Sequence, residues 1–375
     1  MYGIDIEFGI HMAAKTVIEQ KAPTAKTSTA LEIRSDIGFR RAKTFAGEYV
    51  AGSPVTVRSS AVLVWPLGKN LKDIQKRSYV HQAFDVVSSP SRLIRSSSYA
   101  IGNLPSSLRE YREANVNGKP ANGVIHAIGE ALQNKTKLKE AGNKVSLFFT
   151  HHNPTDSVRD EYRRLVGSYT VRDAEGETLE ITVASPILVV PEGVSAYYYY
   201  LDAGLVKPQE RWAFVDFGGN TLTVVIGSDG TEEEDLRYQF EAGGSILLSQ
   251  EIMNHPQFIE EFRKHNCVEN GRSNHEVLDG IERGDYRFFD RFCFREAFDY
   301  SLTEWRRMVG SQVNQQFAQE FSSLKGFYFI GGSSVFFQEL AERATASGVT
   351  TIVPEGASTH NLLGLLSARV KENHG

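Results

Sequence analysis

Phe214-Val215-Asp216-Phe217-Gly218-Gly219-Asn220-Thr221-Leu222-Thr223-Val224-Val225 reads as an apolar strand, a carboxylate, a double-glycine turn and a second apolar strand. An aspartate in that place can hold Mg²⁺ through water, while Gly218, Gly219, Asn220 and Thr221 offer amides and a hydroxyl to phosphate oxygens. Taken alone, the stretch is equally an ordinary β-hairpin with a glycine-rich turn.

Two more stretches share this grammar. Phe327-Tyr328-Phe329-Ile330 runs into Gly331-Gly332-Ser333-Ser334 before a helix predicted over residues 335–344. Such a strand-to-helix turn packs flat against a nucleoside, or serves packing alone. Upstream, a strand ends at Pro191 and Glu192 stands at the start of a predicted helix. A glutamate there can orient a water for attack on a γ-phosphate, or can simply complement the helix dipole.

Around them the chain alternates between the two periods of regular structure. Strands are predicted over residues 2–10, 55–64, 145–150, 178–190 with a break at Pro186, 212–226 and 326–330. Helical spacing covers residues 106–116 and 124–138, and a longer helical region, 246–321, is interrupted at Pro256, Gly271 and Gly280; residues 21–29 read as a loop. This is an α/β pattern.

At 375 residues the chain suits two lobes better than one core. Its 41% hydrophobic and 23% charged residues exclude disordered, collagen-like and fibrous classes. No uninterrupted apolar run reaches membrane-spanning length and the opening lacks a signal-peptide pattern, so a cytoplasmic protein without a membrane segment is expected. Cys267 and Cys293 lack metal-ligand spacing and are expected to be thiols. The net charge of −5 hides an asymmetry, with 17 Lys+Arg against 10 Asp+Glu in residues 1–120 and 24 against 36 in the rest. Surface variation explains it, and so do opposite-signed faces suited to head-to-tail association. No dense basic tract with interleaved aromatics suggests direct nucleic-acid binding.

In their order, Asp5 with Gly9, the strand at 145–150, Pro191-Glu192, residues 216–221, residues 331–334 and Asn361-Leu362-Leu363-Gly364 resemble the actin/Hsp70/sugar-kinase superfamily. More narrowly, they resemble the ParM-type bacterial actin-like ATPases. The resemblance implies a two-lobed actin-like α/β fold of ribonuclease-H-like topology, with residues 1–188 and the returning helix 355–375 in one lobe and 189–354 in the other. ATP (or GTP) and Mg²⁺ would lie in the cleft between them. It implies Asp5 and Asp216 at the metal through water, Glu192 and Asp216 as the catalytic pair, and Gly218, Gly219, Asn220 and Thr221 at phosphate. Gly331, Gly332 and Ser333 would border the nucleoside on one side, with Gly243 and Gly244 on the other and residues 361–364 at the hinge.

The first loop departs from the family pattern, because Asp5-Ile6-Glu7-Phe8-Gly9-Ile10-His11-Met12 has Glu7 at the first glycine and lacks the closing lysine. Lys15 would substitute from further along, and Thr223 stands where an aspartate is common. These departures bear on hydrolysis more than on binding. The implied function is a nucleotide-gated subunit of a cytoplasmic filament, assembling with itself and joined to plasmid DNA by a small DNA-binding adaptor. A cell-shape filament with weak or no ATPase and a small-metabolite kinase of the same superfamily remain open. His151-His152 reads as no metal site, and the four tyrosines at 197–200 as helix cover.

Overall fold

The structure is a computed structural model that describes residues 30–38, 42–47, 49, 55–103, 118–241, 243–267 and 273–374. The strands predicted over 2–10, the loop over 21–29 and the helix over 106–116 lie outside the described residues. A nine-stranded sheet holds β1 (Leu31–Ile37), β2 (Ala42–Ala46), β3 (Arg58–Pro66), β4 (Val80–Ser88), β5 (Ser97–Gly102), β6 (Lys144–His151), β7 (Gly167–Asp173), β8 (Thr178–Val183) and β9 (Leu188–Pro191). A second sheet holds β10 (Trp212–Phe217), β11 (Leu222–Ser228), β12 (Thr231–Glu232), β13 (Tyr238–Phe240), β16 (Gly326–Ile330) and β17 (Thr351–Ile352). A small hairpin, β14 (Arg287–Phe288) with β15 (Phe292–Cys293), interrupts the long helical region.

The two sheets share one core plan. In the first, β1 pairs antiparallel with β2 and β2 with β3, while β6 lies parallel to β1 and β9 parallel to β6. In the second, β10 pairs antiparallel with β11, β11 with the short β12 and β13, while β16 lies parallel to β10 and β17 parallel to β16. Each half then runs into a helix, Val194–Asp202 after β9 and His360–Gly364 after β17, the latter followed by Ala368–His374. The first half carries extra strands, since β5 extends the sheet from β3, β4 pairs with β7, and the β7–β8 hairpin leads back to β6.

Alternation along buried strands decides what faces what. On β10, Ala213, Val215 and Phe217 enter the core under the helices Ser245–Asn254 and Arg295–Phe317, whereas Trp212 and Phe214 enter a second cluster with Tyr197, Tyr200 and Leu362. Asp216 follows Trp212 and Phe214 in that alternation, so its carboxylate emerges on the face shared with the two terminal helices. On β1, Ile33 and Ile37 enter the first core. Arg34 lies on the other face, its guanidinium 4.7 Å from the Phe148 ring and its Nε donating to the Leu365 carbonyl at 3.0 Å. Asp36 lies on that face too. Burial of each large apolar side chain contributes about 1.5–3 kcal/mol, enough that a one-residue slip in either strand is strongly opposed.

Several sequence expectations shift by a few residues. The strand expected at 55–64 is β3, and the helix expected at 124–138 begins earlier, at Lys119–Gln133, where Pro120 suits a first helical turn, and continues as Lys135–Glu140. The strand expected over 178–190 is two strands, β8 and β9, divided around Pro186. The helix expected over 335–344 opens as a 3₁₀ turn at Ser334–Phe337 and continues as Gln338–Ala346. Among the described residues no helix is long and apolar enough to cross a membrane.

Candidate functional site

Asp36 and Asp216 each stand one residue before the end of the first strand of their half. Ile37, after Asp36, faces Ala42 across the first hairpin, and Phe217, after Asp216, faces Leu222 across the second. Both carboxylates are buried, as is Glu192 at the end of β9. Among the described residues, two ammonium groups answer these three carboxylates. Lys43 lies 3.6 Å from Asp36 and also donates to the Ser358 carbonyl, and Lys119 donates to Glu192.

Local structure fixes each group. Thr150 on β6, the register partner of Asp36, donates its hydroxyl to that carboxylate at 2.5 Å. Asn361 donates to Asp216 at 2.6 Å and accepts from the Gly193 amide at 2.9 Å and the Ser195 hydroxyl at 3.3 Å. One amide side chain thereby ties the two terminal helices to the second carboxylate, and a hydrogen bond to a charged group of this kind is worth about 1.5–3 kcal/mol. Those helices cross closely enough that a Cβ on Gly364 would lie 1.6 Å from the Ser195 carbonyl oxygen. Glu192 is fixed by its backbone, whose amide donates to the His151 carbonyl at 3.0 Å.

Burial and mutual repulsion set the electrostatics. Asp216 is pushed up to about 7, first by burial and then by the charges of Glu192 and Asp36. Burial also raises Glu192, against the opposing pull of Lys119. The stacked imidazoles of His151 and His152, with centroids 4.3 Å apart, are both held neutral by burial and by the Lys119 charge; His152 is lowered to about 4. A cluster that resists ionising in this way has room for added positive charge.

The expected phosphate turn has backbone to offer. Gly218, Gly219 and Asn220 give their carbonyls to the amides of Ser245, Ile246 and Gly244. The amides of Gly219, Asn220 and Thr221 donate to no backbone carbonyl among the described residues. Gly243 and Gly244 thus back this turn directly. Thr223, the register partner of Asp216, is buried with no hydrogen-bond partner for its hydroxyl among the described residues. Gly331 has a φ of +87°, and a Cβ there would lie 2.2 Å from an Asp216 carboxylate oxygen. Gly332 is exposed beside it, and the Ser333 amide donates to the Phe217 carbonyl at 3.1 Å. The structure therefore brings together Glu192, Asp216, residues 218–221, Gly243, Gly244 and residues 331–333.

Asp5, Gly9 and Lys15, expected in the first loop, lie outside the described residues, as does Glu7. Sequence reasoning passed over Asp36, Gly38, Lys43, Lys119 and Thr150. A signal existed for the first three: Leu31-Glu32-Ile33-Arg34-Ser35-Asp36-Ile37-Gly38 has the strand-Asp-x-Gly form of residues 212–218, with Lys43 following it. No comparable signal marks Lys119 or Thr150.

Magnesium, which the resemblance implies, fits this donor set in one form. No three His, Cys, Asp or Glu side chains converge as direct ligands among the described residues, whereas three buried carboxylates, one pushed up to about 7, suit a hydrated cation.

No protein-family profile matches the sequence, and no curated protein matches it either. Solved structures do. A ParM from a 15-stranded filament of Clostridium botulinum aligns with a TM-score of 0.62 at 12% identity, covering 92% of this chain and 99% of that one. An archaeal actin homologue aligns with a TM-score of 0.59 at 15% identity, covering 91% and 99%, and its complex with ADP does so at 16%. Bacillus thuringiensis ParM with ADP aligns with a TM-score of 0.55 at 16% identity, covering 92% and 99%. The chain has an actin-like fold similar to that of these ParM proteins and the archaeal homologue.

Proposed function

We propose that this protein is a nucleotide-dependent polymerising actin-like ATPase, one half of the fold forming each lobe and the nucleotide binding between them. The observation that carries the reading is the pairing of Asp36 with Asp216, two buried carboxylates at matched strand ends on one shared face. Neighbours of the same fold solved with ADP or as a filament support it.

In this reading the amides of 219–221 and the Lys43 ammonium bind phosphate, and residues 331–333 border the nucleoside. Asp36 and Asp216 would hold a hydrated Mg²⁺, which would supply positive charge to the phosphates. Glu192, as a carboxylate, accepts a hydrogen bond from the attacking water and orients it. Asn361 holds Asp216 and the start of the Val194–Asp202 helix together, so a change between the lobes is felt at the carboxylate. Assembly follows nucleotide state if the filament binds one lobe arrangement better than the other. ATP or GTP serves as substrate, and the cargo is plasmid DNA held through a small adaptor in the cytoplasm.

The test is light scattering and negative-stain microscopy with ATP, GTP, ADP and no nucleotide, alongside phosphate release. Turnover that rises with protein concentration and accompanies filaments is expected. Turnover that depends instead on a small hydroxylated acceptor overturns the filament in favour of a kinase.

A further inference from the structure

Lys119 is the first residue of the helix Lys119–Gln133, and its ammonium meets the Glu192 carboxylate. Both side chains are largely removed from water, Lys119 to 20% and Glu192 to 11% exposure. Lys43, the other cation of the cluster, is held twice, by Asp36 and by the Ser358 carbonyl. Lys119 has Glu192 alone among the described residues. It sits at the end of a flexible stem, still reached by solvent, beside an anionic cluster into which a nucleoside triphosphate would bring further negative charge.

We propose that Lys119 is a terminal-phosphate sensor: it holds Glu192 in the nucleotide-free cleft and passes to the terminal phosphate of a triphosphate, releasing Glu192 to the water. The inference rests on the nucleotide-binding reading above and adds to it a reason for discriminating tri- from diphosphate. A diphosphate, shorter by one phosphoryl group, leaves the Lys119–Glu192 pair intact. A terminal phosphate offers Lys119 a stronger charge-assisted partner than one carboxylate does. Glu192 then becomes available only when there is a bond to cleave.

The test measures affinities of full-length protein for a non-hydrolysable fluorescent triphosphate and for the matching diphosphate, both with magnesium. Lys119→Met is expected to weaken triphosphate binding about tenfold and leave the diphosphate within about twofold, as loss of one charge-assisted contact requires. Glu192→Gln is expected to do the opposite, tightening the triphosphate alone because Lys119 is already released. In the double variant that tightening disappears. An unchanged triphosphate-to-diphosphate ratio in Lys119→Met overturns the sensor, as does tightening by Glu192→Gln that persists without Lys119, which would be simple relief of repulsion. Lys119→Arg, which keeps the charge, guards against a merely structural loss and should retain the ratio. Wild-type protein that binds neither nucleotide removes the nucleotide reading itself, whereas wild-type binding with an insensitive ratio removes the sensor only.

Discussion

Val190-Pro191-Glu192-Gly193 and Val353-Pro354-Glu355-Gly356 close the last strand of the first and of the second half, each before a terminal helical segment. Gly193 and Gly356 both turn the chain with positive φ, +82° and +67°. Glu192 is nevertheless buried against Lys119, and Glu355 is exposed. The same contrast holds one layer in. Asp36 is met by a threonine hydroxyl and a lysine, Asp216 by an asparagine, and the position facing Asp36 holds Lys43 where that facing Asp216 holds Thr223. Repetition of topology places equivalent backbone in both halves. Chemistry then divides between them, charge-bearing partners in the first and turn amides with glycine clearance in the second.

The largest effect is expected from the matched aspartates. Asp36→Ala and Asp216→Ala should each abolish nucleotide-dependent assembly and weaken Mg-nucleotide binding by about 10- to 100-fold, the scale for groups that orient a metal's surroundings. Fluorescent-nucleotide titration on folded variants checks this. A loss in one with full binding in the other would break the equivalence of the halves.

The repeated glutamates separate by role. Glu192→Ala should slow phosphate release by about 10² or more with diphosphate affinity little changed, and filaments should outlive those of the wild type. Glu355→Ala should leave turnover intact and cost at most about 1 kcal/mol of stability, as for an exposed helix-start carboxylate. Equal effects on phosphate release would show that burial does not distinguish them.

Gly331→Ala adds a methyl in a left-handed conformation, 2.2 Å from the Asp216 carboxylate. It should destabilise the protein by about 1–3 kcal/mol in denaturant titration and weaken nucleotide binding as well. Gly332→Ala, with open space at its Cβ, should leave stability unchanged.

The smallest effect sharpens the division within the hairpins. Lys43→Ala should weaken nucleotide about tenfold, and Thr223→Val, at the facing position of the other half, by no more than about twofold. Reversal of that order would place phosphate against the second hairpin's strand instead of its turn.

Residues 212–226 and 326–333 were legible because their signals are local. Continuous apolar runs, an aspartate and paired glycines force a buried strand and a turn whatever lies around them. The actin-like fold followed from the order of such units. The first half was harder, since the strand at 31–37 includes Glu32, Arg34 and Asp36, polar residues that break the apolar run because one face of β1 meets Phe148, Leu365 and the carboxylate cluster.

What the sequence by itself determined is the alternation of strands and helices, the second hairpin with Asp216, and Glu192 as a carboxylate at a strand end. Only the tertiary structure decided that Asp36 and Asp216 stand at matched strand ends, that Lys119 reaches Glu192 from 73 residues away, and that Glu192 is buried where Glu355 is not. The physical reason is range. Periodicity and turn chemistry act over a few residues, whereas burial and the pairing of charges depend on which distant strands and helices the two sheets bring to one face.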